Sequence, residues 1–377
     1  MDKLPAGLRA KFLAKKAAKQ GPGSTTTSGT VTPTTIASGT ESQILTPATS
    51  TTPDIPFPTA DLEACLACDS PCTPEEQVEY PHYIAKSIDR ELPLAGSVKP
   101  YGRHVLISTG RTDWVHSIDE EEGSVAQGIH RGLYDAEYGG RKRDGEGRIV
   151  LSNTSFAPRR IGSGVTECIL MPEWKLVKGV TTDTTRQLVK QFIDAGEERE
   201  GGSGGTLLER ETLPFHSMVL ICSHGKRDKR CGVTSKYLVK AFESGLRRRD
   251  IYRSFDDTRT EAQGGVPGGG TVVGCLSHIG GHKFAGNVIV YRRRRKSVAA
   301  LHEKLKELTL TNVENPEDAE PRLAGEEGEE ISGEGIWLGR VEPKHVEAII
   351  EEVILKGKVF KELYRGGLPS KFATLQF

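Results

Sequence analysis

SMVLICSHGKRDKRCGVTSKYLVKAFESGLR, residues 217–247, carries the strand, loop and helix pattern that decides the fold of this 377-residue chain. Residues 217–221 (SMVLI) contain a continuous apolar run after Ser217, which is typical of a buried strand. Residues 234–247 are predicted to form a helix, because Leu238 and Phe242 lie four residues apart on one face. A buried strand, a polar loop and an amphipathic helix in succession indicate a unit of an α/β fold.

Two cysteines and two histidines follow predicted strands. Cys222 and Cys231 stand in CSHGKRDKRC with eight residues between them, and His278 and His282 stand in SHIGGH with three between them. Thiolates and imidazoles in two local pairs are the ligands of a tetrahedral zinc ion or an iron–sulfur cluster. The pattern predicts a metal site. It does not choose the metal, because the spacing matches neither a zinc finger nor a Rieske loop.

The loop between the cysteines has a second interpretation. Its cationic residues and the following helix N-terminus favour thiolate over thiol. A thioredoxin-type dithiol has the same strand–loop–helix placement, although two residues separate its cysteines. The alternatives to a cluster are therefore a thiol oxidoreductase that uses Cys222 and Cys231, and a structural Cys2His2 zinc protein that acts as a binding module.

The rest of the sequence alternates strand and helix patterns, which predicts an α/β fold. We expect two α/β domains, 56–196 and 206–377, joined by a linker at 197–205, with an acidic surface insertion at 315–334. The predicted strands are 104–108, 148–151, 167–171, 217–221, 271–274, 287–291 and 335–341, and the predicted helices are 184–195, 234–247, 297–308 and a helix that begins at Pro343.

Residues 1–55 have the composition of a leader. The first twenty residues carry six Lys or Arg and one acid, Asp2, and Leu4 and Leu8 share a helical face. Residues 21–55 are rich in Ser, Thr, Gly and Pro and have too little apolar surface to offset the entropy of ordering. The leader is predicted to be a mitochondrial presequence followed by a disordered segment. The alternative is a basic disordered tail on a cytoplasmic protein.

Composition excludes several classes of function. Lys plus Arg equals Asp plus Glu at 51 each, so net charge gives no reason to expect a nucleic-acid partner. No stretch approaches the ~18 apolar residues that a membrane span needs. Seven cysteines, an odd number, indicate a reduced setting rather than a disulfide scaffold. Residues 268–274 lack the glycine spacing of a dinucleotide-binding turn.

The remaining cysteines are secondary candidates. Cys65, Cys68 and Cys72 form CLACDSPC, where Cys68 and Cys72 are possible secondary thiols, although a surface-loop or packing role is the more common one. Cys168 and Cys275 lie in apolar runs and are predicted to be core residues.

Three further features receive ordinary structural interpretations. His224, between the two cysteines, is expected to be an exposed loop residue, and Trp114 in GRTDW to be a core residue. The basic run 292–296 is expected to be a solvated strand end, with a docking patch for an acidic redox partner as the alternative.

Longer segments resemble a known family. From about residue 60 to the end, the sequence is similar to the sucrase/ferredoxin-like family, whose C-terminal domain is a thioredoxin-like ferredoxin. The segments that carry this resemblance are ACDSPCTPEEQVEYP (67–81), TGRTDWVHSIDEEEGSVA (109–126), VLICSHGKRDKRCG (219–232), GCLSHIGGHKFAGNVIVY (274–291) and GIWLGRVEPKHVEAIIEEVILKGKVFKELYRGG (335–367).

The resemblance implies a 2Fe–2S cluster and a residue for each ligand position. Cys222 and Cys231 would hold one iron, and His278 and His282 the other. Neutral imidazole ligands raise the reduction potential above that of an all-cysteine cluster. The implied activity is electron transfer with a redox partner protein, and a mitochondrial branch of the family is linked to thiol quality control.

Overall fold

The computed structural model describes residues 55–67, 74–75, 77–135, 148–159, 164–194, 208–295 and 331–369. These residues fall within one compact unit, Thr52–Phe377. The predicted leader up to residue 54, the linker 197–205, the helix 297–308, residues 315–330 of the predicted acidic insertion, and both Cys68 and Cys72 lie outside the described residues.

A ten-stranded sheet organises the described part of the chain, in the order β12-β10-β9-β7-β8-β3-β2-β4-β5-β6. Two short strands, β1 and β11, form a separate parallel pair. In chain order the strands are β1 Thr59–Ala60, β2 Arg103–Ser108, β3 Ile149–Thr154, β4 Thr166–Met171, β5 Lys175–Val180, β6 Arg210–Thr212, β7 Ser217–Cys222, β8 Thr271–Leu276, β9 Val288–Arg295, β10 Ile331–Leu338, β11 Val359–Phe360 and β12 Tyr364–Leu368.

Helices cover the sheet, and no described helix has the length and apolar character to span a bilayer. They are α1 Leu62–Leu66, α2 His82–Ala85, α3 Val125–Tyr134, α4 Thr185–Leu188, α5 Lys229–Arg248 and α6 Val346–Ala348. Wider π-type turns continue α4 over Val189–Asp194 and α6 over Ile349–Leu355. Single 3-10 turns lie at Ile118–Glu120, Glu261–Gln263, Pro267–Gly269, His282–Phe284 and Pro343–His345.

The predicted strands are all present, and so are the three predicted helices that lie among the described residues. Helix α5 begins earlier than predicted, at Lys229, because the Asp228 side chain caps it by accepting a hydrogen bond from the Arg230 backbone. Five strands were not predicted: β1, β5, β6, β11 and β12. Three of them have only two or three residues, and β5 and β12 contain glycine, which weakens a strand pattern.

The predicted division into two domains is not confirmed. The strands β3-β2-β4-β5-β6 (the first half of the sheet) and β12-β10-β9-β7-β8 (the second half) are hydrogen-bonded into one sheet. They meet where β3 and β8 pair at Thr154 and Leu276. Two backbone bonds extend this junction, from Ser155 N–H to the Cys275 carbonyl at 2.9 Å and from Ser277 N–H to the Asn153 carbonyl at 2.8 Å.

Helices α5 and α6 pack on the same face of the second half. Leu238, Phe242 and Leu246 of α5 are buried in one apolar cluster with strands β7, β9 and β10. The predicted inward face of the last helix is confirmed, because its five apolar residues are fully buried in this cluster: Val346, Ile349, Ile350, Val353 and Ile354. Each such side chain contributes about 1.5–3 kcal/mol by burial.

A polar cluster inside the core joins the two halves. The His104 imidazole of β2 contacts the Tyr291 hydroxyl of β9 at 2.8 Å and the Ser152 hydroxyl of β3 at 2.9 Å. Trp337 of β10 donates its indole N–H to the Tyr101 hydroxyl at 2.7 Å. Burial lowers the pKa of His104 from 6.5 to about 3, so this imidazole stays neutral at ordinary pH.

Strands β9 and β10 are longer than predicted, and they include part of the basic run and of the predicted acidic insertion. Residues 292–295 belong to β9, and β10 begins at Ile331 rather than at residue 335. Arg292 is buried rather than solvated, and its guanidinium pairs with the buried Glu334 carboxylate. Arg294 donates to the same carboxylate at 3.0 Å. Glu334 is therefore a partner for two strand arginines, not part of a surface insertion.

Removal of this carboxylate leaves Arg292 buried without its ion-pair partner. We expect Glu334→Ala to lower the free energy of unfolding by about 3–5 kcal/mol, as measured by urea denaturation. Glu351→Ala is the matched control, because its carboxylate forms an exposed pair with Lys356 and such pairs contribute little. Equal losses in the two variants would contradict a special role for the buried pair.

Acid should destabilise the protein through His104. In the unfolded chain this imidazole takes up a proton below about pH 6.5, whereas in the fold it does so only near pH 3. Between these values the unfolded state binds the extra proton, so the group makes stability fall by about 1.4 kcal/mol for each pH unit lost. We expect His104→Gln, which cannot titrate there, to show a shallower fall from pH 6 to pH 4. Parallel curves for the two proteins would count against this assignment.

Candidate metal centre

The candidate centre lies where two neighbouring parallel strands end. Strands β7 and β8 pair in register, with Cys222 opposite Leu276. Cys222 is the last residue of β7, and His278 follows two residues after the end of β8. Parallel strands deliver the chain to the same sheet edge, which is the usual place for ligand sites in α/β sheets. Cys231 completes the group from the first turn of α5, not from the loop before it as predicted.

Three of the four predicted ligands come together. The sulfur atoms of Cys222 and Cys231 and a ring nitrogen of His278 all lie within 4.8 Å of one another. Both cysteines are buried, and His278 is partly buried. The spacing is close enough for one bound metal group to reach all three side chains.

His282 lies beside this group at its outer edge. Its Nδ1 is 3.5 Å from Nε2 of His278, and its side chain is 47% exposed. The loop between the histidines turns through Gly280 and Gly281, which have φ angles of 83° and 68°. These left-handed conformations favour glycine and bring the two imidazoles to the same side.

The pKa values of the two thiols are shifted in opposite directions. A hydrogen bond from Cys231 lowers the pKa of Cys222 well below its usual value, and contact with His278 lowers it further. The same hydrogen bond and burial raise the pKa of Cys231. Cys222 is therefore the thiolate of the pair, and thiolate is the form that binds metal.

His224 is a buried residue, which contradicts its predicted exposure. It is 1% exposed, and its Nε2–H donates to the carbonyl oxygens of Trp114 at 3.1 Å and Val115 at 2.8 Å. Its Nδ1 accepts the backbone N–H of His278 at 3.0 Å. Desolvation lowers the pKa of His224. The neutral ring thus ties the His278 loop to the first half of the sheet.

The GRTDW segment closes over the cysteine loop. Asp113, for which sequence alone gave no role, accepts the backbone N–H of Lys226 at 3.2 Å. The Ser223 hydroxyl donates to the Thr112 carbonyl at 2.6 Å. Trp114 is fully buried, as predicted. These bonds give the cysteine loop a fixed shape.

A close contact within the loop requires glycine. The Cα of Gly225 lies so near Gly232 that a Cβ at Gly232 would be 2.7 Å from it. Any larger residue at Gly232 would push the cysteine loop away from the first turn of α5, where Cys231 lies.

Arg365 is a site residue that the sequence did not reveal. It is 1% exposed and donates to the Gly280 carbonyl at 3.2 Å and to the Asn287 side-chain oxygen at 2.9 Å. Burial lowers its pKa to about 10, while electrostatic interaction with the cysteine pair acts in the opposite direction. A buried cation therefore faces the cysteine pair and supports the histidine loop.

The other described cysteines lie outside the cluster. Cys275 is buried in β8 and Cys168 in β4, as predicted for core residues, and burial raises the pKa of both thiols. Cys275 contacts the Ser223 and Ser155 hydroxyls, so it lies close behind Cys222. Cys65 is half-buried in α1.

The role of His224 can be tested by its removal. His224→Ala leaves the Trp114 and Val115 carbonyls and the His278 N–H without their shared partner. We expect the free energy of unfolding to fall by about 1–3 kcal/mol and the metal content after purification to drop, because a ligand loop loses its support. His82→Ala, at an exposed position in α2, is the control. An unchanged metal content in His224→Ala would contradict a positioning role.

Comparisons with known proteins identify the family of this chain. The sequence profile of the sucrase/ferredoxin-like family matches residues 94–366. Actin patches distal protein 1 of Saccharomyces cerevisiae is 27% identical over 303 residues, 77% of this chain and 80% of the relative. Altered inheritance of mitochondria protein 32 of Debaryomyces hansenii is 30% identical over 300 residues, 74% of this chain and 88% of the relative. No solved structure matches significantly. The chain belongs to the sucrase/ferredoxin-like family.

Proposed function

We propose that this protein is a redox protein that carries one 2Fe–2S cluster. The observation that carries the proposal is the group of two buried thiols and one partly buried imidazole within 4.8 Å, at the sheet edge where β7 and β8 end. The second imidazole stands at its edge. The proposed ligands are Cys222, Cys231, His278 and His282.

The residues present fit such a group. Cys222 carries the lowered pKa of a thiolate ligand. Nδ1 of His278 is buried and, among the described residues, has no hydrogen-bond partner. A buried polar atom without a partner is costly, and a bound metal would satisfy it. Sulfur and imidazole donors together suit both zinc and iron–sulfur chemistry.

A 2Fe–2S cluster supplies one-electron transfer, and the surrounding residues set the conditions for it. Arg365 places a buried positive charge near the thiolates and offsets part of their negative charge. The cysteines are at most 1% exposed, so water is kept from the sulfur side. The 47% exposed side chain of His282 makes the imidazole side the edge that a partner protein can approach.

The topology of the second half supports a thioredoxin-like fold, which is also part of this proposal. The strand order is β10-β9-β7-β8, with β7 and β8 parallel and β9 antiparallel to both β7 and β10. Helix α5 connects β7 to β8, and α6 follows β10. A thioredoxin-like unit has this succession of strands and helices. Its reactive segment runs from the end of the first strand to the first turn of the first helix, and Cys222 and Cys231 lie at these two ends.

A dithiol oxidoreductase is the second candidate function, because the lowered pKa of Cys222 also favours thiol exchange. The burial of both cysteines favours the cluster instead, since exchange requires an in-line approach of a substrate sulfur to Cys222. A structural zinc protein would use the same four side chains and is distinguished by its metal content.

The names of the relatives support a proposal on the localisation of this protein. Several relatives carry the name Altered inheritance of mitochondria protein 32. These names support the proposal that this protein works in the mitochondrion, and the proposed electron partner is a redox protein. The basic composition of residues 1–20 supports import.

Anaerobic purification tests the metal directly. We expect a coloured protein with two irons and two sulfides for each chain, and His278→Ala should lose most of the colour and iron while His82→Ala keeps both. The reason is that, of these two histidines, only His278 belongs to the group of proposed ligands. A colourless protein with one zinc for each chain would establish the zinc alternative. A metal-free protein that forms a mixed disulfide in Cys231→Ser would establish the dithiol.

A further inference from the structure

A cavity of about 360 Å³ borders the candidate metal centre on its histidine side. It lies between the two halves of the sheet. Its walls come from the segment after GRTDW, from α3 and β3, and from the loops that carry His224 and His278. This volume is in the range of small-molecule sites in proteins.

Positive charge exceeds negative charge in the cavity walls. Arg148 and Arg227 line it together with His116 and His130, and Asp119 is the acidic residue in its lining. Asp119 already lies 3.5 Å from the His130 imidazole. Two permanent cations therefore face one carboxylate that has an imidazole partner, which favours an anionic ligand.

Both arginines are held in place. Arg227 donates from its NH1 nitrogen to the His116 carbonyl at 2.9 Å, so its guanidinium bridges the cysteine loop and the GRTDW side. Arg148 donates to the Lys99 carbonyl at 3.1 Å. An arginine with one nitrogen fixed loses less side-chain entropy when its other nitrogens bind a carboxylate or phosphate.

The cavity also has an apolar side. Ile118, Ile149, Val150, Leu151 and Ile279 are among its lining residues. A cavity that combines a few fixed polar groups with apolar walls binds organic molecules with a defined orientation. A bare inorganic ion would leave this apolar surface without contact.

We infer that the cavity binds a small organic anion with at least two negative charges, either a polycarboxylate or a phosphate ester. Its charged groups lie at Arg148 and Arg227, and its carbon skeleton lies against the apolar walls. The position of His278 in the wall places the ligand beside the metal centre. That relation to a metal centre rests on the proposed function, whereas binding itself depends only on the cavity.

Calorimetric titration of the full-length protein tests this inference. The probes are citrate for a polycarboxylate, glycerol 3-phosphate for a phosphate ester, and glycerol as the uncharged counterpart of the phosphate ester. Binding of either anion at one site for each chain, without binding of glycerol, supports the inference, and the stronger anion identifies the source of the charge. No binding of either anion overturns it.

Variants separate this cavity from general surface charge. We expect Arg148→Gln and Arg227→Gln each to weaken binding by about tenfold or more, because each removes a charge-assisted hydrogen bond. Arg247→Gln, at a 51% exposed arginine of α5 that does not line the cavity, should change affinity less than twofold. An equal loss in the control variant overturns the inference.

The same titration with chelator-treated protein keeps the two proposals apart. Binding should persist without metal, because neither arginine is a proposed metal ligand. Anion binding by a protein that proves to hold no cluster would reject the proposed function and leave the cavity site in place. A coloured protein that binds neither anion would reject the cavity site and leave the proposed function in place. Circular dichroism and the thermal midpoint confirm that each variant is folded.

Discussion

The parallel pairing of β7 with β8 is the constraint on which the candidate site depends. Because Cys222 pairs with Leu276, both strands end at the same edge of the sheet. These two strand ends are more than fifty residues apart in sequence. The Cys222 thiolate lies at the end of β7, and the His278 imidazole follows the end of β8. Cys231 lies near these side chains because helix α5 begins shortly after β7. The Asp228 side chain caps this helix and so fixes its first residue. A shift of one residue in this pairing would turn Cys222 to the opposite face of the sheet.

The first half of the sheet contributes no proposed ligand but fixes the shape of the site. The carbonyls of Trp114 and Val115 hold the His224 ring, whose other nitrogen holds the His278 backbone. Asp113 holds the cysteine loop through its backbone. Proposed ligand side chains from one half are therefore oriented by main-chain and carboxylate groups from the other. Such support usually matters to metal affinity almost as much as the ligands themselves.

Local patterns predicted the features that depend on nearby residues. The strands β7 and β9, the inward face of α6 and the proximity of Cys222, Cys231 and His278 were all predictable, since apolar periodicity and residue spacing are visible within about twenty residues. His224, Arg365 and Glu334 were not, because their partners lie between 40 and 110 residues away in sequence. A polar residue beside a loop or strand end looks exposed until the distant segment that buries it is known.

The junction at β3 and β8 has a consequence for how the polypeptide is held together. Strand hydrogen bonds, the His104–Tyr291 contact and the His224 bridge all join the halves without the help of residues 197–205. A backbone nick in that segment would leave two fragments that still share one sheet and the apolar cluster that spans its halves. Fragments made separately should therefore complement each other, with the site completed only when both are present.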